Sequence, residues 1–185
     1  MILLVGLFLV AVDNGYDDYI TISNKNWFTN EFSICFFAQI ESDAGGAIVS
    51  KYSWNENNTP ISGLGFAIGT NNKLIDGAGI GRTVNIASLY NEYYDSTKSS
   101  FPRFDVNTSD FVFISGIYDN GLMKLYINGE LVDSRTKMHT SNCLENPYDI
   151  MIGTYFHDNG KFPVIEPEHH NVFHGKVDEL RIYNK

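Results

Sequence analysis

The stretch "DNGLMKLYINGELVDS", residues 119–134, holds two Asn-Gly pairs, Asn120-Gly121 and Asn128-Gly129, on either side of the apolar-polar run "LMKLYI". Two-residue hairpin turns need positive φ at both central positions, and Asn-Gly supplies it at least steric cost. Side chains alternate across a strand, so Met123, Leu125 and Ile127 fall on one face and Lys124 and Tyr126 on the other. Together with "DFVFISGIYD" before it, the stretch predicts a three-strand antiparallel meander with its apolar face turned to a core.

The same signature recurs outward from this meander. "YITI", "FSICFFAQI", "GAIVSKY", "LGFAIGT", "YDIMIGTYF" and "GKVDELRIY" are short β-like runs separated by Gly, Asn, Asp and Pro. In "FSICFFAQI", Phe32, Ile34, Phe36, Ala38 and Ile40 share one face. No stretch of a dozen residues carries the 3.6-residue period of a helix. The chain therefore reads as all-β: one domain over residues 1–185, a sandwich of two antiparallel sheets. The polar stretches near residues 52–62, 88–110 and 157–171 read as loops, where binding residues concentrate.

Composition bounds the function. A chain of 185 residues with 43% hydrophobic content can build a core without a disulfide framework. Its formal charge of -9, with 13 scattered Lys and Arg, argues against nucleic acid, whose phosphates need clustered basic side chains. The apolar start "MILLVGLFLVAV" is shorter than the roughly 20 residues needed to span a bilayer. It fits either the apolar part of a secretory signal or a buried first strand, with residues 7–12 as strand and residues 1–6 as a signal-like or extra strand segment. Sequons at Asn57 and Asn107 are compatible with secretion. Cys35 lies in a strand-like run and Cys143 in a polar one; a bridge between them and two separate thiols both remain open.

The order of these runs, closing with "IMIGTYF" and "FHGKVDELRIYN", resembles that of laminin-G-like jelly rolls, in the concanavalin-A-like lectin and glucanase superfamily. "VDNGYDDYITI", residues 12–22, is similar to that family's opening strand and turn. The resemblance runs from about residue 8 to the C-terminus and implies a jelly-roll sandwich. Phe111 stands where the family usually has Trp. Cys35 resembles in position a cysteine of the pentraxins in the same superfamily, but the pentraxin disulfide is not reproduced, because the strand matching its second cysteine, "FVFISG", has none.

Glucanases of this superfamily carry their carboxylates on one strand, in a Glu-x-Asp-x-x-Glu-like run. No such run occurs here: "ESD" at Glu41 lacks the partner Glu, and Asp178 and Glu179 are adjacent and point to opposite faces of a strand. The expectation is a domain without catalytic residues. Zinc on His169 and His174 competes with a solvated histidine-rich loop. Calcium has a stronger motive. Period two places Asp178 on the inward face with Leu180 and Ile182, and a buried carboxylate needs a cation or hydrogen-bond donors. In relatives the matching Asp and carbonyls near the first turn hold a structural Ca2+, which makes Asp13 and Asp17 further candidates. Capping of backbone N–H groups by Asp178 is the alternative.

Sugars are held by aromatic rings stacked on their apolar faces, with amides and carboxylates fixing the hydroxyls. "KYSWNENN" (Tyr52, Trp54, Asn55), "LYNEYYDS" (Tyr90, Tyr93, Tyr94) and "GTYFHDN" (Tyr155, Asp158) have that mixture, although each ring could instead pack its loop onto the sandwich. The expectation is a non-catalytic, secreted recognition module for a glycan with a structural calcium ion. A laminin-G-like adhesion domain for an extracellular protein, and a structural appendage of a larger secreted enzyme, are the competing readings.

Overall fold

The computed structural model describes residues 2–3, 10–12, 19–23, 31–40, 46–51, 65–70, 83–89, 103–106, 110–136, 148–154, 156–157, 162–163, 173 and 175–184. All elements among them are strands. In chain order they are β1 (Ile2–Leu3), β2 (Val10–Val12), β3 (Ile20–Ile22), β4 (Glu31–Ile40), β5 (Gly46–Ser50), β6 (Gly65–Thr70), β7 (Thr83–Leu89) and β8 (Arg103–Asp105). There follow β9 (Val112–Asp119), β10 (Leu122–Ile127), β11 (Glu130–Thr136), β12 (Ile150–Ile152), β13 (Phe156–His157), β14 (Phe162–Pro163) and β15 (Gly175–Asn184).

Two antiparallel sheets form the sandwich. The first runs β1-β15-β4-β9-β10-β11, with β2 also paired to β15; the second runs β3-β12-β5-β6-β7-β8. The N-terminal apolar run thus contributes strand pairing, through Ile2↔Tyr183 and Val12↔Gly175. β13 and β14 form a separate small ribbon.

The meander is present as β9, β10 and β11. Asn120, Gly121, Asn128 and Gly129 have φ of 46°, 94°, 51° and 85°, so both turns take the left-handed backbone for which Asn-Gly is suited. The second turn is also anchored by its side chain. The Phe113 N–H donates to Asn128 Oδ1 (2.9 Å), and the Asn128 backbone N–H donates to the Phe113 carbonyl (2.8 Å). At the first turn, Asn120 Nδ2 donates to Glu31 Oε1 on β4 (2.9 Å).

Alternation carries the core. Phe32, Ile34, Phe36, Ala38 and Ile40 of β4, Val112 and Ile114 of β9, and Met123, Leu125 and Ile127 of β10 all point inward and are buried. They meet Ile48, Val49, Ile150 and Ile152 of the second sheet. Phe173 and Gly175 close one end. A Cβ on Gly175 would stand 2.0 Å from the Gln39 carbonyl oxygen and 2.7 Å from the Phe173 ring, so only glycine admits this approach.

Three expectations are modified. β12 stops at Ile152, because Gly153 takes φ 89° and turns the chain out of the ladder. β7, β8 and β14 stand where no strand, or only a loop, is expected from the sequence. β15 carries a bulge: Asp178 pairs with Phe37 and Arg181 with Cys35, so two residues oppose one. Glu179 sits at that bulge with φ 51°. The extra residue resets the alternation. Val177, Leu180 and Ile182 are buried in the core, while Asp178 is turned to the outer face and half-buried.

Candidate functional site

The second sheet decides where the ring-bearing segments begin. β5, β6 and β7 form an antiparallel meander, with Ser50↔Ala67 and Gly65↔Leu89 in register. Alternate strands of such a meander run the same way, so β5 and β7 end at the same rim. Tyr52, Trp54 and Asn55 follow β5 directly, and Tyr90, Tyr93 and Tyr94 follow β7 directly. All six lie outside the described residues, but their roots, Lys51 and Leu89, do not. One strand separates the two roots, which sets them about 10 Å apart at ordinary strand spacing.

β5 ends in two buried polar residues, Ser50 and Lys51, at 0% and 1% exposure. Ser50 Oγ donates to the Thr154 carbonyl (2.7 Å), and Lys51 Nζ donates to the Tyr148 carbonyl (2.8 Å). Those carbonyls lie on opposite sides of β12, one past each end, while Met151 pairs with Ser50 and Ile152 with Val49. The Gly153 N–H donates to Ile48 and the Phe173 N–H to the Gly153 carbonyl, each at 2.9 Å. Thr154 is itself buried and directly precedes Tyr155. Tyr155 lies outside the described residues, as does Asp158; the root of their segment is thereby held against the root of the Trp54 segment. Burial pushes the Lys51 ammonium down to about 8, against the opposing pull of the Asp149 carboxylate.

Lys51 and Ser50 give almost no warning in the sequence, because a Lys ending a strand-like run usually reads as solvated. The one signal is its place between "GAIVS" and the ring-bearing "YSWN".

The calcium candidates are not brought together by the described residues. Asp178 Oδ1 accepts the Glu179 N–H at 2.8 Å, a cap on the bulge's own backbone. Asp13 and Asp17 lie outside the described residues. Val12, next to Asp13, pairs with Gly175, three residues from Asp178 along β15 and so roughly 10 Å away. Among the described residues no three His, Cys, Asp or Glu side chains stand close enough to hold a metal ion. His169 and His174, the zinc candidates, lie outside the described residues. Cys35 is a free, buried thiol; burial raises its pKa, opposed by the Arg181 charge and a Tyr183 hydrogen bond. Cys143 lies outside the described residues.

The outer face of the first sheet is rich in rings. Phe37 and Phe113 face each other across β4 and β9 with centroids 5.1 Å apart. Phe37 (36%), Phe111 (42%) and Leu131 (53%) are exposed there, and on β15 Arg181 and Glu179 form an ion pair at 2.6 Å. No helix among the described residues is long and apolar enough to cross a membrane.

Similar folds occur in known carbohydrate-binding proteins. The Ruminococcus gnavus IT-sialidase CBM40 bound to α2,3-sialyllactose has a TM-score of 0.64 at 13% identity, over 97% of this chain and 91% of that one. Domain 4 of AbnA, a GH43 extracellular arabinanase from Geobacillus stearothermophilus in complex with arabinotriose, gives 0.57 at 15% identity, over 100% and 75%. The leech intramolecular trans-sialidase gives 0.67 at 12% identity over 97% of this chain, which spans only 25% of that protein. No curated protein matches in sequence. At these identities the likeness is one of fold. The sequence model described as the concanavalin A-like lectin/glucanases superfamily matches residues 14–185, nearly the whole chain, and with the two-sheet architecture this places the protein in that superfamily.

Proposed function

We propose that this domain is a non-catalytic recognition module that binds carbohydrate outside the cell, through the segments rooted at Lys51, Leu89 and Thr154. The observation that carries the reading is the shared rim. β5 and β7 end side by side across β6, and each is followed at once by a run of aromatic rings and amides. Tyr52, Trp54, Tyr90, Tyr93, Tyr94 and Tyr155 would stack on the apolar faces of sugar rings, while Asn55 and Asp158 take hydroxyls. A root spacing of about 10 Å suits an oligosaccharide lying between the two segments. Similar domains in complex with sialyllactose and arabinotriose support a glycan as ligand.

The deciding experiment is a glycan-array screen of the wild-type domain alongside Trp54→Ala and Tyr94→Ala. Retention of at least one glycan class, weakened about tenfold or more by either variant at unchanged melting temperature, is expected. Stacking on one ring contributes on the order of 1 kcal/mol or more, which sets that magnitude. A wild-type domain that retains no glycan would end the reading.

A protein ligand is the second reading, favoured by the exposed Phe37, Phe111 and Leu131 on the outer face of the first sheet. Loss of a captured extracellular partner in Phe37→Ser with Phe111→Ser, but not in Trp54→Ala, would select it. A structural calcium ion would have to join Asp178 to Asp13 and Asp17. Equal melting temperatures with calcium and with chelator would remove it.

A further inference from the structure

We draw no further inference here: the strongest candidate, the apolar patch of Phe37, Phe111 and Leu131 on the outer face of the first sheet, is an exposed sheet face, and nothing in the structure shows what covers it.

Discussion

Two glycines show how differently one residue type can be required. Gly129 stands in open space with φ 85°, so alanine there meets only the left-handed backbone cost of about 1 kcal/mol. A Cβ at Gly175 would stand 2.0 Å from a backbone oxygen that cannot step aside, so Gly175→Ala should cost about 3 kcal/mol or more in urea unfolding. Equal losses in the two variants would contradict this packing argument. Lys51 makes a third residue-level case. Its folded pKa of about 8 lies below the ordinary 10.5, so between those values the unfolded chain holds a proton that the folded chain has released. Stability then rises with pH across that window, as the penalty for keeping the ammonium buried fades. Measured against Lys51→Met to cancel other titrations, the wild type should gain about 2 kcal/mol between about pH 7 and about pH 10. A difference that stays flat with pH would show that the amine is not desolvated.

At the scale of the element, the bulge in β15 reverses the role that unbroken alternation assigns to Asp178. With Glu179 inserted opposite Phe36, Leu180 and Ile182 keep the core and the carboxylate turns to the outer face. Glu179 has φ 51°, while its ion pair with Arg181 is exposed and worth little. Glu179→Gly should therefore raise stability by about 0.5–1 kcal/mol, and Glu179→Val should lower it by more than that. Indistinguishable melting temperatures for wild type and both variants would mean that the bulge carries no strain. The contrast with β10 explains what can be read from sequence. Asn-Gly announces positive φ, so both hairpins and the inward Met123, Leu125 and Ile127 are legible in the residues themselves. A glutamate announces nothing of the kind, and continuing the alternation through Asp178 is the natural but mistaken extrapolation. β7, "TVNIASL", hides because Thr83, Asn85 and Ser88 dilute its apolar pattern, and without it the shared rim with β5 is invisible. The residues can name ring-bearing segments; only strand order can bring their roots together.

Across the whole molecule the dominant field is negative. A formal charge of -9 and a pI near 4.9 repel anionic ligands at long range and leave neutral ones unaffected. The similar folds divide along this line, one in complex with the acidic sialyllactose and one with the neutral arabinotriose. Thirteen basic residues spread through the chain, with Arg181 and Arg135 already in ion pairs, offer no concentrated counter-charge among the described residues. Shape is shared with both kinds of protein, so charge is the property on which a choice between them can be argued. Neutral oligosaccharides should be retained in preference to sialylated ones at low salt. Raising the salt from about 10 mM to about 1 M shortens the Debye length from about 30 Å to about 3 Å, which should strengthen whatever binding an acidic glycan shows and leave a neutral glycan nearly unchanged. The array run at both salt concentrations reads this directly. Sialylated glycans bound more tightly at low salt than at high would mean that a local cluster of cations overrides the field of the whole, and would move the ligand class to acidic sugars.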